Sequence, residues 1–462
     1  MLRRSLSLVV VLLFLISASS SVYASRGFLP AVNYPTGANP TSVSIADFNG
    51  DGKLDMAASN NVDGTISTLL GRGDGTFVPA QTYSICRNPI QVVAGDLNGD
   101  GRPDLVATCE TGLAKNIAVI LNSATGFLPP NLYSDGFTTG PGPLVVADFD
   151  EDGILDLVVS DAAISFLKGN GDGSFQPPQL YTTHDQTDSV VVADFNSDGH
   201  LDVAAGEMGV GADIFLGNGD GTFQPATFVT DVLSPVSVAV GDFNRDGHVD
   251  LVLANETKTV TVFLGNGDGT FQSPTTPEVG KGPSSVAVGD FNGDGALDIA
   301  VAIGEAGLAV MYGRGDGTFP LIRRFRTDGF ASGQCYVAAV DLNHDRALDL
   351  AVVNRGINTV SILMNSGGTF VTATSSENPA PAGQPVTFTA TVAPSLISTI
   401  PTGSVQFADG TTILATVPLD QTGVASYTTS GLSQGTHTIR TKYSGDSNFN
   451  PNMGKAIAQV IQ

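Results

Sequence analysis

The chain has 462 residues, a formal net charge of −24, and 45 Asp and Glu residues against 21 Lys and Arg residues. This acidity argues against nucleic acid as a partner, because contacts with the phosphate backbone require basic patches. The 55 Gly residues and the absence of Trp fit a repetitive β-protein with many turns.

The N-terminal segment, residues 1–24, has the pattern of a secretory signal peptide. Arg3 and Arg4 precede the apolar run Leu8–Ile16, and a small residue, Ala24, stands where cleavage is expected. A membrane anchor is the alternative, but the apolar run is shorter than the roughly 20 residues that a membrane span requires. We therefore expect cleavage after Ala24 and a secreted or cell-surface protein, with no membrane span in the mature chain.

An acidic pattern of nine residues occurs seven times along the chain. A spacing of about 50 residues predicts a propeller or a solenoid rather than a set of independent domains. Six copies contain three Asp and one contains four, so 22 of the 45 acidic side chains stand at positions 1, 3, 5 and 9 of the copies. The copies, which we call acidic loops 1 to 7, begin at Asp47, Asp96, Asp148, Asp194, Asp242, Asp290 and Asp341.

The acidic loops have the ligand spacing of a calcium site. Side-chain oxygens stand at positions 1, 3, 5 and 9, the backbone carbonyl of position 7 can add a ligand, and glycine at position 6 permits a sharp turn with positive φ. We therefore predict Ca²⁺ as the cofactor of six loops. The predicted ligands are Asp47, Asn49, Asp51, Lys53 and Asp55; Asp96, Asn98, Asp100, Arg102 and Asp104; Asp148, Asp150, Asp152, Ile154 and Asp156; Asp194, Asn196, Asp198, His200 and Asp202; Asp242, Asn244, Asp246, His248 and Asp250; and Asp290, Asn292, Asp294, Ala296 and Asp298.

Two other kinds of loop share this composition. An EF-hand requires a bidentate Glu at position 12 and flanking helices, but position 12 is Ala, Val or Leu in every copy and the flanks are typical of strands. An ordinary hairpin turn is also rich in Asp, Asn and Gly, but nothing would make it keep the ligand spacing through seven copies. Loop 7 keeps Asp341, Asn343, Asp345 and Asp349, but Arg346 replaces the glycine, so we expect that site to be weak or empty.

A Gly-rich turn accompanies each acidic loop. Such a turn between apolar runs indicates a hairpin, so each unit contains four antiparallel strands, as in a propeller blade. The turns are Gly71–Phe77, Gly169–Phe175, Gly217–Phe223, Gly265–Phe271 and Gly313–Phe319, with shorter versions at Asn122–Phe127 and Asn365–Phe370.

Units such as VAVGDFNGDGALDIAVA…VMYGRGDGTF resemble the FG-GAP/VCBS repeats that build the integrin α-subunit propeller and many bacterial surface proteins. The resemblance implies that residues 25–372 form an all-β fold, a seven-bladed β-propeller with calcium in its blade loops. Arg26–Pro30 resembles the end of a unit, Thr76–Pro79. We therefore predict that the N-terminus supplies an outer strand that closes the ring.

The pattern changes after Phe370. Residues 373–381, rich in Ser, Pro and Ala, predict a linker, and residues 382–462 alternate polar and apolar side chains, which predicts a β-sandwich. The predicted strands are Val386–Val392, Gly403–Phe407, Ile413–Pro418, Ala425–Thr428, His437–Tyr443 and Ala456–Ile461. The stretches PTGSVQFADGTTIL and GVASYTTSGLSQGTHTIRTKYSGDSNF resemble bacterial Ig-like repeats, which implies a spacer or adhesion module.

The chain has three cysteines. Cys86 and Cys109 belong to one unit, on either side of its strand pair. Both a disulfide, formed in an oxidising compartment, and two buried free thiols fit this placement. Cys335 would be left over.

Three functions fit the sequence. The first is a secreted calcium-binding protein that acts in adhesion or binds an extracellular glycan or protein, with structural calcium and no enzymatic activity. The second is a secreted polysaccharide-degrading enzyme, a lyase or hydrolase, on a calcium-binding propeller. The uniform repeats show no separate set of His, Lys, Tyr or carboxylate side chains for catalysis, and a fold does not settle function. The third is a structural spacer in a surface layer. We expect the first and predict no catalytic residue.

Overall fold

The structure, a computed structural model, describes residues 27–110, 116–137, 142–209, 211–230, 234–304, 307–327, 336–395, 399–446 and 448–462. The predicted signal peptide, residues 1–24, and Cys335 lie outside these residues. The regular elements of the described residues are β-strands. No helix in this part of the chain has the length and apolar character needed to cross a membrane.

In the described residues, the repeat region forms seven antiparallel sheets of three or four strands and one two-stranded hairpin, Asn122–Ser123 with Gly126–Phe127. Sheet 5 has three strands and is extended by isolated bridges from Thr259 to Glu278 and from Val262 to Thr275. The strands are Pro40–Ala46, Asp55–Asn60, Thr65–Leu69 and Gln81–Ser84 in sheet 1; Pro89–Gly95, Asp104–Cys109, Ile117–Ile120 and Asn131–Tyr133 in sheet 2; Leu144–Ala147, Asp156–Ser160, Ala163–Leu167 and Gln179–Thr182 in sheet 3; Thr187–Ala193, Asp202–Glu207, Ala212–Phe215 and Thr227–Val229 in sheet 4; Pro235–Gly241, Asp250–Asn255 and Val260–Phe263 in sheet 5; Pro283–Gly289, Asp298–Ile303, Gly307–Tyr312 and Leu321–Phe325 in sheet 6; and Val337–Val340, Asp349–Asn354, Thr359–Leu363 and Val32–Pro35 in sheet 7.

The sheets form a closed ring. Their first strands contact one another in chain order, and the first strand of sheet 7 contacts that of sheet 1. The second and third strands are buried almost throughout. This burial requires apolar side chains on both faces, and each pair of neighbouring sheets encloses its own apolar cluster. Radial sheets packed in this way form a β-propeller.

The N-terminus completes sheet 7. Val32–Pro35 pairs antiparallel with Thr359–Leu363, so the first and last parts of the repeat region share one sheet. The prediction that the N-terminus supplies an outer strand is confirmed. The strand lies at Val32–Pro35 rather than at Arg26–Pro30.

Phe28 takes the place of the phenylalanine that ends a Gly-rich turn. It bridges to Asn365, as Phe77 bridges to Gly71 in sheet 1. Its ring packs edge-on against Phe291, with the ring centroids 5.8 Å apart. The resemblance of residues 26–30 to the end of a unit therefore reflects a structural equivalence.

A β-sandwich follows the ring. Phe388, Phe407, Tyr443 and Phe449 are fully buried between its two sheets. The six predicted strands are all present, to within two residues at each end. One sheet contains Thr369–Ser375, Val386–Pro394 and Val424–Thr429; the other contains Thr412–Pro418, Ser404–Asp409, Gly435–Tyr443, Asn452–Met453 and Ile457–Ile461.

The sandwich begins earlier than the predicted boundaries. Thr369–Ser375 pairs with Val386–Pro394. Phe370 therefore lies in the sandwich rather than in a seventh Gly-rich turn, and residues 373–375 lie in a strand rather than in the predicted 373–381 linker. The Ser- and Thr-rich composition concealed an alternating strand in which Val371 faces the core. The second domain thus starts at Thr369 instead of residue 382, inside the predicted 25–372 propeller.

Cys86 and Cys109 form a disulfide. Cys109 ends the second strand of sheet 2, and Cys86 lies in the connection that enters this sheet. Of the two alternatives that the sequence left open, the disulfide is confirmed.

Antiparallel strand order gives the ring two different faces. The acidic loop joins the first and second strands of a sheet, and the Gly-rich turn joins the third and fourth, so both lie at one end. We call this end the acidic face. The hairpins between second and third strands, and the connections from one sheet to the next, lie at the other end, which we call the hairpin face.

Candidate functional site

Acidic loop 5 shows the hydrogen bonds that recur in the acidic loops. Asp242 at position 1 accepts bonds from the backbone N–H groups of Asp246 (3.2 Å) and Gly247 (3.0 Å). Asn244 at position 3 also accepts from Asp246 N–H (3.0 Å), and Asp246 at position 5 accepts from His248 N–H (2.9 Å). The side chains at positions 1, 3 and 5 therefore turn into the loop, where their oxygens lie together.

Two positions of each loop have left-handed backbone. Position 6 has positive φ in all seven loops, between 68° at Arg346 and 91° at Gly199. This agrees with the prediction for position 6. Position 4 also has positive φ, including Glu151 (59°) and Arg245 (62°), which was not predicted because such side chains disfavour that conformation. Strain of this kind, repeated at one position, is typical of loops shaped to hold a ligand.

Position 9 has a structural role in addition to the predicted one. Asp250 is fully buried, and its Oδ2 and Oδ1 accept bonds from Phe243 N–H (2.7 Å) and Gly265 N–H (2.8 Å). Gly265 is the first residue of the Gly-rich turn. The same two bonds hold position 9 in the other six loops. This carboxylate clamps the acidic loop to the turn of its own sheet.

Burial of position 9 leaves a negative charge with little solvation. Burial, as the main cause, and the charges of the loop's other Asp residues together raise the pKa to about 6 at Asp156, about 7 at Asp298 and about 8 at Asp349. A cation beside the carboxylate would compensate this charge. Buried carboxylates of this kind are compatible with the predicted calcium sites.

Acidic loop 3 provides a geometric test of the fit to calcium. Carboxylate oxygens of Asp148, Asp150 and Asp156 lie within 4.8 Å of one another. Asp150 Oδ1 is buried and has no hydrogen-bond partner among the described residues. An all-oxygen donor set with a free buried oxygen suits a hard cation such as Ca²⁺. In loop 3 the side chains of Asp148, Asp150 and Asp156 therefore fit the ion, while the other predicted ligands stay a prediction.

Loop 3 differs from the other loops because a lysine enters it. Lys168, the last residue before the Gly-rich turn, places its Nζ against Asp150 and 2.9 Å from Asp152 Oδ2. The two carboxylates raise the pKa of Lys168 above its usual range. The corresponding residue in sheets 1, 4 and 5 is Leu. The most acidic loop thus contains a positive charge of its own.

Replacing Lys168 by Met should increase the calcium affinity of loop 3 about fivefold, a factor typical of one ion pair with partly solvated groups. The ammonium group occupies Asp150 and Asp152, so a calcium ion must displace it. Calcium titration by calorimetry measures the change. Lys53→Met is the matched control, because Lys53 Nζ lies 3.4 Å from Asp51 Oδ2 in an exposed pair. Unchanged or weaker calcium binding in Lys168→Met would contradict the prediction.

Acidic loops also join neighbouring sheets. Gly269 N–H of sheet 5 donates to the carbonyl oxygen of Phe195 in loop 4 (3.0 Å). In sheet 2, where the Gly-rich turn is short, the Asn122 side chain makes the equivalent bond to the carbonyl oxygen of Phe48 in loop 1 (2.7 Å). These hydrogen bonds therefore connect an acidic loop directly to the neighbouring sheet.

Loop 7 is covered by the sandwich. Asn452 Nδ2 donates to the carbonyl oxygen of Asp345 (3.3 Å), and Asn450 N–H donates to that of Gly367 (2.8 Å). Asn343 and Asp345 are buried, whereas position 5 is exposed in loops 1 to 6. The loop in which the sequence departs from the calcium pattern is the one that contacts the second domain.

The hairpin face carries a central cavity of about 340 Å³, where the first strands of the sheets begin. Four serines at equivalent strand positions line it: Ser42, Ser189, Ser237 and Ser285. Ser42 Oγ accepts from Val92 N–H of the next sheet (2.9 Å). Ser237 and Ser285 accept equivalent bonds from the next sheet (3.2 Å each), so three of the four serines link neighbouring sheets. The recurring Ser-Val pair at strand starts was the signal that could have located this cavity.

Three side chains of different chemistry complete the cavity lining. They are Asp188, Tyr336 and Arg355. Burial raises the pKa of Asp188 and that of Tyr336. Arg355 Nε donates to the side-chain oxygen of Asn39 (2.9 Å), which orients the guanidinium group. None of these residues was predicted, because each occurs once and leaves no repeating pattern.

Family comparison matches the same region of the chain. The FG-GAP-like repeat matches residues 47–107, 148–205, 206–253, 242–301 and 290–352, together more than half of the chain. The chain belongs to the FG-GAP-like repeat family. The bacterial Ig-like domain (group 3) matches residues 372–462. A search of curated proteins found no match.

The matches confirm the all-β FG-GAP propeller and the C-terminal Ig-like domain. Four of the five FG-GAP segments begin at position 1 of an acidic loop, so the loops and the strands after them carry the family signal. The Ig-like match begins within the strand Thr369–Ser375. This agrees with the early start of the sandwich.

Proposed function

We propose that this FG-GAP chain is a secreted calcium-binding protein that acts in adhesion or ligand binding, with structural calcium and no enzymatic activity. Its ligand would be an extracellular glycan or protein. The observation that carries the proposal is the central cavity on the hairpin face, on the side of the ring opposite the acidic loops.

The chemistry of the cavity favours a glycan. Hydroxyl groups, the Asp188 carboxylate, the Arg355 guanidinium group and the Tyr336 phenol lie around a space of about 340 Å³. Ligand sites of this kind use a few placed polar groups to fix orientation. Sugar hydroxyls both donate and accept hydrogen bonds, so this mixture of donors and acceptors suits them.

The position of the acidic loops supports a structural role for calcium. They lie at the end of the sheets away from the cavity, and their position 9 carboxylates bind the Gly-rich turns. Ions held there would fix the connections between strands. They would have no direct contact with a ligand in the cavity.

Secretion is supported by three features. Residues 1–24 have the signal-peptide pattern. The Cys86–Cys109 disulfide is typical of oxidising compartments. FG-GAP repeats are also characteristic of extracellular proteins, which is consistent with an adhesive role.

Arg355→Ala should weaken glycan binding at least about tenfold, which corresponds to roughly 1.4 kcal/mol. The mature chain is first passed over a panel of immobilised polysaccharides in calcium and in EDTA, and released sugar is assayed. The glycan that retains the protein is then titrated with the parent chain and with the Arg355→Ala variant. Arg440→Ala, which removes an exposed arginine of the sandwich, is the matched control.

Retention that depends on Arg355 and yields no released sugar would support the proposal. Equal binding by the Arg355→Ala variant would exclude the cavity as the glycan site. Released sugar would contradict the absence of enzymatic activity.

A further inference from the structure

Sheet 4 carries a group of metal-ligating side chains outside the acidic loops. His184 lies in the connection that enters the sheet on the hairpin face, Glu207 ends the second strand, and Asp213 lies near the start of the third. His184 Nδ1 is 2.6 Å from Asp213 Oδ1, and one ligand atom from each of the three side chains lies within 4.8 Å of the other two. We call these residues the sheet 4 cluster.

The two carboxylates of the cluster are buried and have little positive charge around them. Glu207 is 1 % exposed and Asp213 is 0 % exposed. The single backbone N–H of His184 donates to both, at 2.9 Å each, and Asp185 N–H also donates to Glu207 (3.2 Å). Within the described residues, His184 is the one basic side chain that pairs with either carboxylate. Two adjacent buried carboxylates require a cation or a shared proton, because their charges repel and are poorly solvated.

The other sheets show that the fold does not require these acids. The strand positions of Glu207 and Asp213 are occupied by an Asn and a hydroxyl residue in sheets 1, 5 and 7. There the amide donates directly to the hydroxyl oxygen, at 2.7 to 2.9 Å. The neutral pairs are Asn60 with Ser67, Asn255 with Thr261, and Asn354 with Ser361. Sheet 4 has two acids where these sheets have a neutral, hydrogen-bonded pair, and it adds a histidine.

The histidine is held in position and remains open to solvent. Its ring stacks on Phe228, with the centroids 4.5 Å apart and the planes at 29°. Its side chain is nevertheless 54 % exposed. An ion bound to Nδ1 would therefore keep one side accessible, as in metal sites with three protein ligands and one open position.

We propose that His184, Glu207 and Asp213 form a binding site for a transition-metal dication such as Zn²⁺. One imidazole nitrogen and two carboxylate oxygens are the donors that suit Zn²⁺, whereas Ca²⁺ prefers oxygen alone. The site lies on the hairpin face and is distinct from the calcium loops in both position and donor chemistry. It does not depend on the proposed glycan binding.

The test is Zn²⁺ binding to the full mature chain in calcium-containing buffer, measured by calorimetry and by equilibrium dialysis. Calcium keeps the acidic loops filled, so that zinc must bind elsewhere. We expect one zinc ion per chain at this site. His184→Ala should weaken zinc binding at least about tenfold. Mutation of a residue that only hydrogen-bonds to a metal ligand already lowers metal affinity or activity 10- to 100-fold.

A double variant removes the proposed zinc ligands without leaving unpaired charges that could cause misfolding. Glu207→Asn with Asp213→Thr reproduces the neutral pair of sheet 5, Asn255 and Thr261, and should fold as the parent does while losing the zinc site. His344→Asn, which removes an exposed histidine outside the predicted ligand positions, should leave zinc binding unchanged. If the double variant and the parent bind zinc equally, or if neither binds it, the proposal is wrong and the cluster is a hydrogen-bonded network with a shared proton.

Discussion

Chelation of calcium with EDTA should lower the melting temperature of the chain by about 10 °C, if six loops each gain roughly 1 kcal/mol from millimolar calcium. Extracellular calcium sites have dissociation constants of about 10⁻⁴–10⁻³ M, so each gains this much by mass action. The six contributions together are comparable with the stability of a whole domain, about 5–15 kcal/mol. Because Trp is absent, melting is followed by circular dichroism.

A single-loop variant separates calcium binding from other effects of EDTA. Asp246→Ala removes position 5 of loop 5, an exposed residue with bonds only inside its own loop. It should lower the melting temperature in calcium by 1–2 °C, about one sixth of the whole effect, and should have little effect in EDTA. An EDTA melt that coincides with the calcium melt would rule out structural calcium.

Local patterns were sufficient to predict most strands and the acidic loops. Alternation in Val386–Val392 comes from one buried and one half-buried face, and the segment forms a strand close to the predicted bounds. Ile413–Pro418 also forms a strand close to its predicted bounds, with side chains that are exposed or half-buried. The positive φ at position 6 followed in the same way from glycine, which alone adopts it without strain. Each of these features depends only on residues that are close together in the sequence.

Features that depend on distant residues were not predicted. Lys168 reaches Asp150 because the third strand ends beside the acidic loop, a contact between residues 18 positions apart. Loop 7 is buried because the sandwich packs on it. The repeat pattern alone could not predict this contact, because the sandwich lies outside the repeats. The strand Thr369–Ser375 was hidden by its Ser and Thr residues, which serve equally well in linkers.

The sheet 4 cluster consists partly of residues that differ from those at the same strand positions of other sheets. The uniform repeats led us to predict no separate set of His and carboxylate side chains, yet Glu207 and Asp213 stand where other sheets have Asn and a hydroxyl residue. Aligning the units by strand register, rather than by their acidic loops, would have exposed both substitutions. His184 would still have been missed, because it lies in a connection without register.

Asp250→Ala should cost about 3 kcal/mol of unfolding free energy in EDTA, because it leaves two buried N–H groups without an acceptor. Those groups are Phe243 N–H and Gly265 N–H, which now bond to the carboxylate at 2.7 and 2.8 Å. The loss should be larger in calcium, because the variant also lacks a predicted calcium ligand. Urea unfolding followed by circular dichroism gives the free energy under both conditions. The loss should exceed that of Asp246→Ala, which depends on calcium.

Asp250→Asn separates the two roles of position 9, the hydrogen bonds to the Gly-rich turn and the predicted coordination of calcium. An amide has nearly the same shape as the carboxylate, but its nitrogen cannot accept the second bond and carries no charge for calcium. We expect a loss of about 1–2 kcal/mol in EDTA, from one unsatisfied N–H group, and a larger loss in calcium. If both variants match the parent in EDTA, position 9 acts only through calcium. The loops would then be calcium sites alone, and the turns would be held by the strands that flank them.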